Sequence, residues 1–446
     1  MSDDSEARSR GRQVPRGRIS RFGAFGRLAG GVAGGMAAEG VRRLAGGERP
    51  NMRDMLLTPA NIGKVADRLS HLRGAAMKLG QMISMDAGDM LPPELADIMA
   101  RLRDNAHHMP PAQLQKVLAR EWGSDWRTRF QRFDARPIAA ASIGQVHRAV
   151  ALDGRELAIK VQYPGVRESI DSDVDNVAAL LRISGLLPRE LDIAPLLEAA
   201  KVQLAEEADY ARESEQMARF GELLADRPEF LVPVPAPDFT TGQVLAMTYL
   251  EGRPIETLES EPQAVRDSAM AMLIGLVLRE LFEFGVMQTD PNFANYRYQP
   301  DTGRLILLDF GAARPVAPAT TAGYRRLLES GLSNDRDAVR DAAIAAGFLG
   351  EAAAERHRLL VNRMIDIILG ELNRAGPFDF GDRRFVATLR EDGGEIAADR
   401  ATWHVPPADI LFVQRKISGT ALLAARLKAQ VDVRAMVERE LARTRG

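Results

Sequence analysis

Two polar motifs at a fixed spacing constrain the fold of this 446-residue chain most strongly. Asp290 and Asn295 lie five residues apart after an apolar helical pattern, and a β-prone run then leads into Asp309, the first residue of an Asp-Phe-Gly tripeptide. Mg²⁺ is a hard cation that binds oxygen atoms, including those of carboxylate and side-chain amide groups. We therefore expect Asn295 and Asp309 to hold a magnesium ion, and Asp290 to orient, or accept a proton from, an attacking hydroxyl group or water.

A lysine motif in the first half of the chain gives these residues a context. The segment 157–160 reads Leu-Ala-Ile-Lys, which is equivalent to the kinase strand motif V-A-I-K, whose lysine neutralises the α- and β-phosphates of a nucleotide. The carboxylate partner of Lys160 should lie on the following helix, where Glu207 and Glu213 are both candidates. For either carboxylate alone, an exposed acidic helix face is the alternative interpretation. The lysine, the Asp/Asn pair and the Asp-Phe-Gly tripeptide nevertheless occur in the order that kinases use.

An alanine-rich loop precedes the lysine. The segment 139–146 fits the phosphate-covering loop G-x-G-x-x-G-x-V with its first two glycines replaced by alanine, which should stiffen the loop. An alanine-rich turn between strands is the alternative interpretation. The residues that we expect to contact nucleotide in this loop are Ala139, Ala140, Ala141, Ser142, Gly144 and Val146.

Composition excludes several classes of protein. The chain is 46% hydrophobic, 27% charged and only 6% aromatic, as in ordinary soluble, helix-leaning proteins. Its 59 basic and 61 acidic residues give no overall charge that would recruit nucleic acid. The absence of cysteine rules out disulfides, Cys-ligated zinc and iron–sulfur clusters. Neither a secretory signal nor an apolar run of the roughly 20 residues that a spanning helix needs is evident.

The order of predicted elements divides the chain into four parts. Residues 1–53 form a basic Gly/Arg-rich tail, which is predicted either to contact a membrane or to be a flexible linker. Residues 54–130 form a helical extension, 131–246 a small β-rich lobe and 247–446 a large helical lobe. Within the lobes we expect helices over 196–224 and 264–284, strands joined tightly at Asp153-Gly154, a strand pair around Tyr296 and 305–308, and mostly helix beyond Thr320.

Three departures from ordinary kinases together make a more specific pattern. The loop reads A-A-A-S-I-G-Q-V-H, the catalytic segment reads T-D-P-N-F-A-N instead of containing H-R-D, and residues 78–81 read K-L-G-Q. With these motifs the chain resembles the UbiB family of atypical kinase-like proteins, closest in its M-Q-T-D-P-N form to the ubiquinone-linked proteobacterial and mitochondrial branch. The resemblance runs from about Val14 to the C-terminal helices and includes 415–419.

The resemblance implies an α+β, atypical protein-kinase-like bilobal fold with a helical N-terminal extension. It also implies that the K-x-G-Q helix folds over the active site, and that Glu213 is the partner of Lys160. No A-P-E motif follows Gly311, so phosphorylation of other proteins is disfavoured. The regulatory residues implied are Lys78 and Gln81 of K-x-G-Q with Glu207 and Asp209 of an E-x-D motif, and the residues implied on the adenine side are Met247 and Tyr249.

Two positions depart from the usual family pattern. Thr248 stands where the family often has a carboxylate, so this chain departs from the family pattern on the adenine side. The pair His107-His108 replaces a stretch that is often proline-rich, and we assign it no metal role because no further ligands lie nearby in sequence.

The function that the resemblance implies is an ATP·Mg²⁺-dependent ATPase or phosphotransferase that supports ubiquinone biosynthesis. Its cofactors would be ATP or ADP and Mg²⁺, and its location the cytoplasm, peripherally attached to the inner membrane. Its partners would be an anionic membrane surface, isoprenoid quinone precursors and the biosynthetic enzymes. Nucleic acid is not expected as a partner, and a homodimer is one option for the oligomeric state. A kinase for a small molecule or lipid, and a nucleotide-binding scaffold without turnover, are the alternatives.

Overall fold

The computed structural model describes residues 109–183, 194–402, 404 and 406–444. Of these, residues up to 218 together with 234–249 form one compact unit, and 219–233 with the residues from 250 onward form a second. The predicted tail, most of the predicted helical extension, and its residues Lys78, Gln81 and His107-His108 lie outside the described residues. The three boundaries between the four predicted parts stay predictions.

Twelve α-helices occur in the part of the chain that the structure describes. They are α1 Pro111–Trp122, α2 Ile170–Ile183, α3 Ala194–Glu207, α4 Tyr210–Leu223, α5 Gln263–Arg279, α6 Pro318–Leu332, α7 Arg336–Ala345, α8 Glu351–Arg356, α9 Arg358–Leu372, α10 Arg384–Ala398, α11 Ala408–Arg426 and α12 Val433–Arg443. Among these described helices, none is both long enough and apolar enough to cross a bilayer.

The strands are short and mostly antiparallel. They are β1 Phe130–Phe133, β2 Ala139–Ala140, β3 Gly144–Ala151, β4 Glu156–Gln162, β5 Phe230–Leu231, β6 Val244–Thr248, β7 Arg253–Pro254, β8 Val286–Gln288, β9 Tyr296–Gln299, β10 Arg304–Leu307, β11 Ala313–Pro315, β12 Phe378–Asp379 and β13 Gln430–Val431.

The first unit is built on an antiparallel sheet in the order β1-β3-β4-β6, with β2 paired to β3. Alternate residues of β4, namely Leu157, Ile159 and Val161, are fully buried in one apolar cluster with Trp126 and Phe130. Because side chains alternate between the two faces of a strand, the neighbouring side chains of β4 point to the opposite face. Burial of each large apolar side chain contributes about 1.5–3 kcal/mol, which fixes the register of β4.

The hairpin predicted at Asp153-Gly154 is present, but its loop is longer than two residues. Strand β3 ends at Ala151 and β4 begins at Glu156. The Asp153 carboxylate accepts the Arg155 backbone N–H at 3.1 Å, and Gly154 adopts a φ of +85°. These local bonds widen the turn, and the glycine supplies the left-handed conformation that it needs.

The helix predicted over 196–224 is interrupted. Helix α3 ends at Glu207 and α4 begins at Tyr210, and the Asp209 side chain accepts the backbone N–H of Arg212 at 3.1 Å. An aspartate that satisfies an N–H at the start of a helix favours a new N-terminus at that point. The periodic apolar pattern predicted the helical content but not this break.

The second unit contains a four-stranded sheet in the order β5-β10-β9-β7, in which β5 is parallel to β10, and a separate β8–β11 pair. The predicted helix over 264–284 is confirmed as α5 followed by a π-helical turn, Glu280–Phe284. Gly285, with a φ of +61°, ends this turn and lets the chain enter β8. Helix α5 packs against α11 and α12. Beyond Thr320 most of the described residues are helical, as predicted, with the short strands β12 and β13 as exceptions.

Candidate active site

The predicted site residues fall into two groups, one within each compact unit. The first unit contains Lys160, Glu213, the loop 139–146 and the segment 246–249. The segments 288–296 and 307–313 belong to the second unit.

Lys160 forms a buried ion pair with Glu213. Its ammonium Nζ donates to both carboxylate oxygens of Glu213, at 2.8 Å and 2.9 Å, and the Glu213 side chain is completely buried. The Tyr210 ring lies 5.3 Å from the same ammonium. Of the two candidate partners, Glu213 is therefore the one that forms this ion pair with Lys160. Two charge-assisted hydrogen bonds to the same carboxylate hold a buried ammonium in one orientation.

The alanine-rich loop is a hairpin between β2 and β3. Ala139 pairs with Val146, and the Ala141 N–H donates to the Gly144 carbonyl at 2.9 Å, which closes the turn over Ser142 and Ile143. The prediction of a strand turn and the prediction of a phosphate-covering loop are therefore compatible here. Phosphate contact itself stays a prediction.

Gly144 is required by packing. A Cβ atom at this position would lie 2.5 Å from the carbonyl oxygen of Val161 and 2.9 Å from the hydroxyl of Tyr210. Both distances are far below van der Waals contact, and one of the two neighbours is backbone. The sequence predicts that glycine lets the backbone come close to a phosphate. The structure shows a separate role, because the absence of a side chain lets β3, β4 and α4 pack closely.

Ser142 and Glu207 link the loop to helix α3. The Ser142 hydroxyl donates to Glu207 Oε2 at 2.7 Å, and Glu207 is buried. Asp209, the second acid of the predicted E-x-D motif, caps the start of α4, as shown above. The two acids therefore act on different elements of the first unit, and the regulatory roles predicted for them stay predictions.

The segment predicted to contact adenine continues β6. Thr248 exchanges two hydrogen bonds with Val234: its N–H donates to the Val234 carbonyl, and its hydroxyl accepts the Val234 N–H, both at 2.9 Å. The Tyr249 N–H donates to the Glu156 carbonyl at 2.9 Å. Thr248 thus holds the segment around Val234 against β6. This gives a structural reason for a hydroxyl at a position where the family often has a carboxylate. The adenine contacts of Met247 and Tyr249 stay predictions.

In the second unit, Asp290 and Asn295 stand in the loop between β8 and β9. The Asn295 amide nitrogen donates to the Asp290 carbonyl at 3.2 Å, and the Asn295 carbonyl accepts the N–H of Leu308 at 3.0 Å. Since the amide nitrogen is engaged, the Asn295 Oδ1 is the atom that suits a cation. These bonds hold the loop next to the strand that leads into Asp309.

Asp309 follows β10 in a tight turn. Its Oδ1 accepts the Gly311 N–H at 3.0 Å, and the intervening Phe310 is buried against Phe220 with ring centroids 5.0 Å apart. Phe310 therefore anchors the turn in the apolar core while the Asp309 side chain is only half-buried. Its other oxygen, Oδ2, extends the set of atoms suited to a metal ion.

The donor set suits Mg²⁺ bound together with phosphates. In the described part of the chain, no three histidine, aspartate or glutamate side chains converge on one point. Mg²⁺ usually binds through one or two protein oxygen ligands plus water and substrate phosphates, so Asn295 and Asp309 are a sufficient set. The residues present fit magnesium better than a metal such as zinc that needs a closed ligand cage.

Thr289 is a positioning residue that the sequence reasoning missed. It precedes Asp290 and is buried, and both its hydroxyl and its N–H donate to the Ala312 carbonyl, at 2.8 Å and 3.2 Å. Strand β11 then pairs with β8, with Ala313 opposite Gln288. Thr289 thereby joins the loop of Asp290 to the residues that follow Asp309. No periodic pattern in the sequence points to this contact.

Comparison with known proteins gives this arrangement a family. The model of the ABC1 atypical kinase-like domain matches residues 101–343. Mitochondrial atypical kinase COQ8 of Saccharomyces cerevisiae is 38% identical over 422 residues, which cover 94% of this chain and 83% of that protein. Mitochondrial atypical kinase COQ8B of Rattus norvegicus is 39% identical over 435 residues, 96% of this chain and 81% of that protein.

A solved structure shows the same fold. The complex of Rv3197 with erythromycin from Mycobacterium tuberculosis matches with a TM-score of 0.58 and 25% identity, over 83% of this chain and 93% of that one. The predicted kinase-like α+β fold and the resemblance to the UbiB family are thereby confirmed. The chain belongs to the ABC1 atypical kinase-like family and is an atypical kinase-like enzyme.

Proposed function

We propose that this chain binds ATP or ADP with Mg²⁺ and transfers the γ-phosphoryl group of ATP to water or to a small acceptor, in support of ubiquinone biosynthesis at a membrane. The buried Lys160–Glu213 ion pair carries the proposal. A lysine held by a helix carboxylate is the arrangement that active kinases need for positioning the phosphates. Burial of a charged pair costs free energy because both groups leave water, so we infer a functional reason for this pair.

The roles of the site residues follow from their chemistry. Lys160, oriented by Glu213, would neutralise the α- and β-phosphates, and Asn295 and Asp309 would hold Mg²⁺, which when bound neutralises charge that develops on the phosphates. Asp290 would orient the attacking oxygen or accept its proton. The hairpin 139–146 would cover the phosphates, and Met247 and Tyr249 would contact the adenine.

The short connection after Gly311 supports water or a small acceptor over a peptide. Helix α6 begins at Pro318, so only residues 312–317 separate it from the Asp-Phe-Gly turn, and half of these belong to β11. Kinases that act on peptides use a long segment ending in A-P-E as a docking platform. A kinase for a small molecule or a lipid is therefore the second candidate, with the same nucleotide residues.

The ubiquinone link is taken from kinship with the COQ8 proteins. On the same ground we propose isoprenoid quinone precursors, an anionic membrane surface and the biosynthetic enzymes as partners, and a homodimer as a further possibility to be tested. The proposed location is the cytoplasm, peripherally on the inner membrane. The basic segment 1–53, which would make the membrane contact, lies outside the described residues.

The test is phosphate release from Mg·ATP by the purified chain, with and without anionic liposomes and phenolic mimics of quinone precursors. Asp309→Asn is the matched control, because asparagine keeps an Oδ1 acceptor for the Gly311 N–H while removing the charge that Mg²⁺ needs. We expect release that lipid or mimic stimulates and that the variant loses. No release under any condition, with nucleotide binding intact, contradicts the hydrolase and leaves either a kinase whose acceptor was not supplied or the scaffold.

Product analysis separates the acceptors. With ATP labelled in the γ-phosphoryl group, label recovered as free phosphate supports hydrolysis, whereas label recovered on an added lipid or phenol supports the kinase.

A further inference from the structure

Four buried polar side chains meet within the second unit, close to the loop of Asp290 but distinct from it. They come from the start of the π-helical turn, the end of β8, the start of β9 and the middle of α11. Their exposed fractions are 0%, 5%, 6% and 2% for Glu280, Gln288, Tyr296 and Lys416 in that order. None of the roles assigned above uses this cluster.

Lys416 is the centre of the cluster. Its Nζ donates to the Tyr296 hydroxyl at 3.1 Å and to Gln288 Oε1 at 3.3 Å, and it lies 3.4 Å from a carboxylate oxygen of Glu280. The other oxygen of Glu280 accepts the Gln288 backbone N–H at 3.1 Å. Burial raises the pKa of the Glu280 carboxyl, and the Lys416 ammonium acts in the opposite direction.

The residues that Lys416 contacts are the two ends of one loop. Gln288 is the last residue of β8, and Tyr296 is the first residue of β9, so the contacts span the loop 289–295. One ammonium therefore fixes the separation of both loop ends, which are eight positions apart in the sequence.

Backbone connections link Tyr296 to Asn295 and Asp309, the two predicted metal ligands. Tyr296 directly follows Asn295 and pairs with Leu307 across the β9–β10 ladder. The Asn295 carbonyl accepts the Leu308 N–H, one residue before Asp309. A shift of Tyr296 would thus move the predicted ligands of Mg²⁺ together.

We propose that Lys416 is a positioning residue for the metal site: by holding Gln288 and Tyr296 it keeps Asn295 and Asp309 at the spacing that Mg²⁺ needs. This inference rests on the proposed function, because Asn295 and Asp309 are metal ligands only there. Replacing groups that orient metal ligands typically weakens metal binding by about 10- to 100-fold. We expect a rise of that order in the Mg²⁺ concentration needed for nucleotide binding.

A purely structural role for the Glu280–Lys416 pair is the competing explanation, and neutral substitutions distinguish the two. Lys416→Met alone leaves the buried Glu280 without its cation, which should destabilise the fold. Adding Glu280→Gln removes that stranded charge and keeps an acceptor for the Gln288 N–H. The double variant should therefore recover stability relative to Lys416→Met, yet it should keep the weakened Mg²⁺ response.

Two further variants complete the set. Tyr296→Phe removes only the hydroxyl that Lys416 contacts, so it tests the inference even where a Lys416 variant fails to fold. Asp392→Asn is the matched control. Asp392 is also buried and forms an ion pair with Arg363, but it lies in helix α10. None of its described bonds reaches the loop 289–295.

The experiment is a Mg²⁺ titration of the binding of a fluorescent ADP analogue to the full-length chain, with thermal unfolding measured in parallel. We expect the half-saturating Mg²⁺ concentration to rise roughly tenfold or more for Tyr296→Phe and for the double variant, and by less than about twofold for Asp392→Asn. Nucleotide binding without Mg²⁺ should stay unchanged in all of them.

Each outcome decides between explanations. Variants that match Asp392→Asn, while wild type responds to Mg²⁺, overturn the positioning role and leave a structural pair. A wild-type chain that binds nucleotide without any response to Mg²⁺ overturns the proposed function instead.

Discussion

The ammonium of Lys160 lies 2.8 Å and 2.9 Å from the two carboxylate oxygens of Glu213, and a strand and a helix thereby meet at a single ion pair. Both side chains are buried in the first unit. The attraction between buried charges only offsets the cost of removing them from water, so loss of one partner is far more damaging than loss of both. This asymmetry leads to the first prediction.

Glu213→Gln should reduce the free energy of unfolding by about 3–5 kcal/mol, because it replaces the carboxylate that neutralises the buried Lys160 ammonium by a neutral amide. It should also weaken nucleotide binding, since the lysine loses its orientation. Urea unfolding and equilibrium nucleotide binding measure the two effects. Lys201→Met is the control, because Lys201 pairs with the exposed carboxylates of Asp175 and Glu198 on the same unit. A change within about 1 kcal/mol is expected there, and an equal loss in both variants would contradict the argument.

Gly144→Ala should destabilise the first unit by about 1–3 kcal/mol, the usual cost of overpacking. The new methyl group would press on the Val161 carbonyl and the Tyr210 hydroxyl. Gly221→Ala is the comparison, because a Cβ atom added to that helical glycine would meet nothing within 4 Å beyond the backbone of its own helix; it should raise stability by up to about 1 kcal/mol. Thermal unfolding of both variants measures the difference, and a neutral Gly144→Ala would refute the packing role.

Thr289→Val should slow phosphate release while costing only about 1 kcal/mol of stability, because it removes one hydrogen bond and keeps the side-chain shape. The lost bond is the one from the hydroxyl to the Ala312 carbonyl at 2.8 Å. Thr321→Val removes a similar bond, to the Leu281 carbonyl at 3.0 Å, away from the loop of Asp290. Turnover that falls equally in both variants would argue against a special role for Thr289.

Glu283 makes the second unit sensitive to acid. A hydrogen bond from Arg279, followed by one from Arg443, lowers the pKa of Glu283 to about 2, from an ordinary value of 4.5. A carboxyl whose pKa is lower in the folded state stabilises the fold above pH 4.5, and this contribution is lost as the pH falls toward 2.

Glu283→Gln should therefore be less stable than wild type at pH 7, by no more than about 1 kcal/mol because solvent screens the partly exposed pair. The difference should shrink as the pH falls below 4.5. Urea unfolding between neutral pH and acid measures it, with Glu438→Gln as a surface-pair control. A difference that stays constant with pH would contradict this account.

Local patterns predicted much of this fold and site. The β-prone run and the V-A-I-K-like motif predicted strand β4 with Lys160 in it, and the alternation of strand side chains explains why Lys160 lies on the face opposite the core. The apolar run within 264–284 predicted a helix there, which is α5, but not the π-helical geometry of its last turn. The motif order predicted the kinase-like family. Each of these depends on residues near one another in sequence, where spacing alone is informative.

The remaining features depend on contacts between distant residues. Glu280 and Lys416 meet although they are 136 positions apart (416 − 280), and no local pattern marks either as buried. The break between α3 and α4 depends on Asp209 being used as a helix cap, which competes with helical propensity at a single residue. The packing role of Gly144 depends on the Val161 carbonyl and the Tyr210 hydroxyl, which come close to it only in the folded chain.

The short connection between Gly311 and α6 has a consequence for control of the enzyme. Many kinases are switched on when phosphorylation of a long, loosely held segment after Asp-Phe-Gly orders it through new arginine contacts. Here residues 312–317 are already fixed, since β11 pairs with β8 and the Ala312 carbonyl accepts two bonds from Thr289. The turn that carries Asp309 is thus tied to β8 by hydrogen bonds, and the six residues that follow it offer no long, loosely held segment for a phosphate group to order.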